Sequence, residues 1–197
     1  SSDVCSSDLW ARTTGSSSIV VAVIDTGVRT DHPDLTGKLV DGYDFVRASV
    51  SNDGDGADSD PTDPGDWCTS DGSASSWHGT QTASLVGART DDGTGMAGTA
   101  PAVRVQPVRV LGQCGGYDDD IIAGMRYAGG LSTTVTNATP TKVINMSLGG
   151  SPGEACNSAY QSAITALNAA GVTVVVAAGN EALAVGSPAN CSGVITV

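Results

Sequence analysis

A carboxylate, an imidazole and a carboxamide stand in this 197-residue chain where α/β proteins tend to carry chemistry. Asp25 ends the apolar run Val20-Val-Ala-Val-Ile24 and leads into Thr26-Gly27. His78 follows 53 residues later in Ser76-Trp-His78-Gly-Thr80, within the first turn of a predicted helix. Asn180 closes a second apolar run, Val176-Ala-Ala-Gly-Asn180, in which Gly179 lets the backbone approach a ligand closely. A carboxylate holding an imidazole is two-thirds of the machinery that makes a serine hydroxyl nucleophilic. Taken singly, each of these groups reads equally well as a cap or a satisfied polar side chain. Three of them at strand ends and helix starts point to one site.

The elements that must position these groups follow from hydrophobic periodicity. Residues 19–24 read as a buried parallel strand, being β-branched, unbroken and short. Further strands are predicted over 38–45, 103–111, 142–148, 172–178 and 194–197. Helices are predicted over 77–88, about 118–128 and about 155–170, the last punctuated by Gly171. Strands alternating with helices imply an α/β fold, a doubly wound parallel sheet with helices on both faces and sites at the strand carboxyl ends. Residues 47–76 form a long polar loop, which in a compact domain is usually functional or an insertion. It carries Asp53, Asp55, Asp58, Asp60, Asp63 and Asp66 among glycine and proline. Alternating carboxylates on a turning backbone suit calcium, which takes roughly six to eight oxygens in flexible geometry; a solvated acidic loop is the alternative.

Composition narrows the classes. The net charge is −12, with only nine Lys plus Arg, so nucleic acid is not an expected partner. No apolar run approaches the roughly 18 residues a membrane-spanning helix needs, and no membrane partner is expected. Apolar residues make up 40% and aromatics 4% of a chain with 26 glycines, which suits a tightly turned domain built on Ala and Val. The five cysteines (Cys5, Cys68, Cys114, Cys156 and Cys191) form no Cys-x-x-Cys pair, and His32 and His78 lack zinc-ligand spacing. Structural disulfides in an oxidising compartment are the better reading. Residues 1–9, Ser1-Ser-Asp-Val-Cys-Ser-Ser-Asp-Leu9, match one translated frame of a common short-read sequencing adapter. They read as an artefact to be set apart from the fold, and they imply a partial gene.

The motifs together resemble the subtilisin-like serine protease family, the subtilases. Val23-Ile-Asp25-Thr-Gly27 matches the family's aspartate motif, His78-Gly-Thr80 its histidine motif, and Ala177-Ala-Gly-Asn180 the oxyanion-hole asparagine. Asn145-Met-Ser-Leu-Gly-Gly150 matches the strand that pairs with substrate backbone, and His32-Pro-Asp-Leu35 and Gly98-Thr-Ala-Pro101 fall in the expected order. The resemblance spans 10–197, which would make these residues part of a peptidase catalytic domain, truncated at its C-terminal side. It implies that Asp25 fixes the imidazole, His78 is general base and then general acid, and Asn180 donates to the oxyanion. Ser147, Leu148, Gly149 and Gly150 would flank an extended peptide on one side, Leu111 and Gly112 on the other. Glu181 would set negative charge beside the primary pocket, tolerating Lys or Arg there. Asp34 matches a calcium ligand, completed by the loop around 90–96, and Asp53, Asp55, Asp58 and Asp60 lie in a kexin-like acidic loop that would also bind calcium.

The family's nucleophile lies in a Gly-Thr-Ser-Met-Ala motif, yet this chain stops 17 residues past Asn180, before such a motif. Gly93-Thr-Gly-Met-Ala97 looks similar, but position 95 is glycine and has no hydroxyl. The expectation is therefore a secreted, extracellular, calcium-stabilised serine endopeptidase acting on protein or peptide substrates, monomeric when complete, with this stretch inactive without its serine. A catalytically inactive, calcium-dependent binding domain is the rival reading. A nucleotide-binding domain is disfavoured because Asp25-Thr-Gly-Val28 lacks a phosphate cradle. The resemblance also favours a Cys114–Cys156 disulfide at the rim of the substrate cleft, with Cys68 and Cys191 pairing together or elsewhere.

Overall fold

The computed structural model describes residues 6–131 and 133–197, so Cys5 and the first part of the 1–9 segment lie outside the described residues. A short helix α1 (Ser6–Trp10) precedes strand β1 (Val20–Asp25) and a 3₁₀ turn (Pro33–Leu35). There follow β2 (Tyr43–Asp44), α2 (His78–Gly87), β3 (Arg104–Arg109), α3 (Asp118–Ala128) and β4 (Val143–Met146). The chain then runs through α4 (Ser158–Ala169), β5 (Thr173–Val176) and β6 (Ile195–Thr196). The strands form one parallel sheet in the order β2-β3-β1-β4-β5-β6. After β3 the chain crosses β1 to start β4, so the strand order reverses around β1 and opens a crevice at its carboxyl end. Among the described residues no helix is long and apolar enough to cross a membrane.

Alternation along β1 splits the core into two layers. Ala22 and Ile24 join Val108, Ile144 and Val174 under Met125 of α3 and Ile164 and Leu167 of α4. Val23 faces the other way, into a smaller cluster with Val105, Val28, Leu35 and Ala83 of α2. Helices therefore cover both faces. Asp25 has the same parity as Val23, so its side chain emerges on the α2 face. Small residues let α2 lie close to the sheet: a Cβ on Gly87 would fall 2.8 Å from Val105 Cγ2. The N-terminus of α3 carries Asp118, Asp119 and Asp120, where carboxylates oppose the helix dipole, and Asn157 caps α4 through the Ala159 N–H.

The strand expected over 38–45 is reduced to Tyr43–Asp44 with an isolated bridge at Leu39. The cause lies in the partner strand. Val105 N–H donates to Lys38 O and Arg109 O accepts from Phe45 N–H, so the odd residues of β3 face this edge. Pro107, between them, has no N–H to give, and Gly42 sits against its carbonyl.

The disulfides are Cys68–Cys114 and Cys156–Cys191, which corrects the expected Cys114–Cys156 pairing. Cys114 belongs to a tight turn at Gly112–Gly115, and Gln113 ties that turn to Val50 O and Asn52, on the acidic loop that carries Cys68. Cys156 precedes α4, and Gln161 of that helix exchanges two hydrogen bonds with Ser192, beside Cys191. The loop paths thus select partners that position relative to a cleft did not reveal. A link across 35 residues contributes about 3–4 kcal/mol in the chain-entropy account.

Candidate active site

Asp25, the last residue of β1, is fully buried, and His78 is the first residue of α2. His78 Nδ1 lies 2.9 Å from both Asp25 carboxylate oxygens. The Thr26 N–H donates to Asp25 Oδ1 at 2.7 Å, and Thr82 Oγ1, one turn along α2, donates to Oδ2 at 3.2 Å. An ionised carboxylate only accepts, so Nδ1 carries the proton and Nε2 is left as the base.

Two glycines make this approach possible. Gly79 packs against the 26–28 turn so closely that a Cβ there would fall 2.0 Å from Gly27 O. Gly27 itself has a positive φ of 91°. Thr26 Oγ1 accepts from Gly79 N–H at 3.0 Å and donates to the buried Asp63 at 2.6 Å, joining strand end, helix start and acidic loop. Asp66 holds Ser76 through its N–H and hydroxyl, and Ser76 Oγ accepts from His78 N–H.

The bond to Asp25 raises the His78 pKa above its ordinary value; partial burial opposes this, and the charges of Asp25 and Asp66 reinforce it. The sign matters. A pKa raised by folding stabilises the fold below the unfolded value, and that contribution is lost as pH rises through the folded value. The basic form that could take a proton accumulates only above it. We expect the His78 ring protons, separated from those of His32 with a His32→Gln variant, to titrate in the NMR spectrum above about 6.5. A midpoint below that figure would mean that the Asp25 contact does not govern this imidazole.

Ser147, Leu148, Gly149 and Gly150 follow β4, and Ala177 to Asn180 follow β5, so both segments leave the sheet at the same edge as Asp25. Asn180 is solvent-exposed and two strands from Asp25, about 10 Å across the sheet. Its N–H donates to Glu181 Oε2 at 2.9 Å, and Gly150 N–H donates to Ser187 O. Glu181, Gly149 and Gly150 line a cavity of about 170 Å³ with the 177–179 segment. Leu111, Ser147 and Leu148 line a neighbouring one of about 310 Å³. Gly112 is engaged in its own turn with Gly115.

The expected metal ligands divide. Asp34 is buried in the 3₁₀ turn and accepts from Met96 N–H at 3.0 Å. The loop aspartates do not converge: among the described residues, no three His, Cys, Asp or Glu side chains gather as a ligand set. Asp53 accepts from Asp55 N–H, Asp58 from Asp60 N–H, Asp60 from Thr62 N–H and Asp63 from Gly65 N–H. The two-residue spacing that suggested alternating ligands is largely a chain of Asx turns. Sequence reasoning missed Arg109, fully buried at the end of β3, whose guanidinium meets Asp44, Asp53 and Ser51 O. The signal was a cation inside an apolar strand run, which burial obliges to find anions.

The family model for subtilases matches residues 16–197. The chain is 48% identical over 200 residues to an extracellular protease of Xanthomonas campestris pv. campestris, covering 95% of this chain and 34% of that protein. It is 38% identical over 205 residues to an extracellular basic protease of Dichelobacter nodosus, with 96% and 34% covered. A solved protease from Pseudoalteromonas arctica PAMC 21717 superposes with a TM-score of 0.87 at 46% identity, over 95% of this chain and 57% of that one. Sphericase follows at a TM-score of 0.71 and 34% identity, over 93% and 54%. The chain thus spans about a third of the length of these two curated relatives, at 34% each.

Proposed function

Because this chain belongs to the subtilase family, we propose that it carries the acid–base half of the triad of a secreted, calcium-stabilised serine endopeptidase. The observation behind this reading is the His78 Nδ1 contact, 2.9 Å to both oxygens of a buried carboxylate. His78 Nε2 accepts the proton of a serine hydroxyl as that oxygen attacks the scissile carbonyl, then returns it to the leaving amine. Asp25 stays ionised and stabilises the imidazolium. Asn180 donates its side-chain N–H to the oxyanion that forms. A peptide lies extended between the 147–150 segment and the chain near Leu111, with Glu181 lending its cavity a preference for Lys or Arg. A serine hydroxyl is the nucleophile that this acid–base pair is built to activate. Relatives named as extracellular proteases, and two disulfides, support secretion.

Calcium fits at Asp34. The carboxylate packs directly against Gly95, where a Cβ would fall 2.1 Å from both oxygens, so glycine lets loop 89–96 close over a buried anion. Bound there, calcium would tie loop 89–96 to the 3₁₀ turn and supply rigidity rather than a reacting group. The 53–60 aspartates do not gather about a single point among the described residues, and Asp53, Asp58 and Asp60 each accept from the amide two residues on.

The test is the complete reading frame, expressed from its gene and treated with a fluorophosphonate. One serine should be labelled, and the 197-residue chain should take up none. A complete, folded protein that resists the reagent would overturn the reading.

A further inference from the structure

The acidic loop and the turn after β1 meet around one buried cation. Arg109 pairs in register with Asp25 on β1 and has the same parity as Val105, so it emerges on the α2 face beside the candidate site. Its side chain is 1% exposed. Nη1 donates to Asp44 and to Asp53, and Nη2 donates to Ser51 O. Its δ-carbon runs under Gly27, where a Cβ would come within 3.0 Å of it. A guanidinium cannot shed its proton in a protein, so it needs anions around it, and the loop provides them.

The loop is then closed at its far end. Asp44 and Asp58 exchange backbone hydrogen bonds, Val28 N–H donates to Pro61 O, and Asp63 N–H donates to Val28 O. Asp63 accepts from Thr26 Oγ1, the hydroxyl that also receives Gly79 N–H. Two carboxylate oxygens on Nη1 and a carbonyl oxygen on Nη2 are three of the roughly six to eight oxygens calcium takes. Here they are taken by a side chain delivered from β3.

We propose that Arg109 is the fixed cation of the acidic loop, folding residues 44–63 against the Asp25–His78 pair without a divalent ion at Asp44 and Asp53. This rests on the Arg109 contacts alone and stands whether or not the protein hydrolyses peptides.

Equilibrium dialysis with radiolabelled calcium on the 197-residue chain tests it. Arg109→Met removes the charge and leaves the oxygens, so that variant should bind one more calcium per chain than the parent. Its thermal unfolding should also become more sensitive to a chelator. Arg109→Lys keeps a cation in place and should gain no site. Asp53→Asn in the parent background should leave the bound calcium unchanged, because no ion sits there to lose. The proposal is overturned if Asp53→Asn loses a calcium, or if a folded Arg109→Met gains none. Should Arg109→Met fail to fold, the partly exposed Asp53 decides, since its substitution still reports whether an ion is already held.

Discussion

Asp25→Asn is expected to leave the fold intact and to lower kcat by about 10⁴-fold in the complete enzyme, the loss usual when a triad aspartate becomes a carboxamide. The local hydrogen bonds say why. Asp25 Oδ1 accepts from Thr26 N–H, which holds an oxygen at that position after substitution. The new NH₂ must therefore stand at Oδ2, facing His78 Nδ1 and Thr82 Oγ1. Thr82 can rotate its hydroxyl to accept. The new N–H turns Nδ1 into an acceptor and moves its proton to Nε2, in competition with the Oδ1 contact at the same 2.9 Å. The atom that should receive a proton then carries one. On the 197-residue chain, ¹⁵N spectra of the imidazole should show the tautomer exchanged, independently of any assay. A loss of less than about tenfold in the complete enzyme, with the tautomer unchanged, would remove Asp25 from the mechanism.

Much of this arrangement was legible in the sequence because simple periodicities enforce it. A β-branched run ending in Asp-Thr-Gly specifies a buried parallel strand with a carboxylate at its end, and β1 is found one residue from its predicted bounds. Helix α3 matches its expected span of 118–128, since an acidic first turn and a glycine after it mark both ends. The glycines of Asp-Thr-Gly and His-Gly-Thr are now explained by the close approach of Gly79 to Gly27 O. Long-range choices were less legible. Pro107 erodes a strand in another part of the sequence by withholding one N–H, which only the pairing register reveals. Disulfide partners depend on the path of the 68–73 and 112–115 loops, for which no local pattern exists. The acidic loop reads two ways for a chemical reason: carboxylates two residues apart suit both a cation and their own Asx turns. In our proposal the cation is Arg109, far along the chain.

Asn180→Ala should lower kcat by about 10²–10³-fold while KM changes little, the cost of one lost oxyanion donor. The separation of the two constants follows from when the bond forms. Asn180 sits on an exposed turn after Gly179, which has a φ of 97°. That conformation suits glycine, and Asn180 after it is solvent-exposed rather than buried in the core. A carboxamide donor there meets little charge on a resting carbonyl and a full charge on the tetrahedral oxyanion, so its removal is felt at the barrier rather than in binding. The substitution is also a clean one. Glu181 Oε2 is held by the backbone N–H of residue 180, so the turn keeps that contact when the side chain is cut back. Folding should be undisturbed, as urea denaturation can show. If KM rises while kcat is unchanged, Asn180 contacts the bound substrate and not the transition state. Its place beside the segment after β4 would then be that of a binding residue, and the oxyanion donor would have to be sought elsewhere on the same sheet edge.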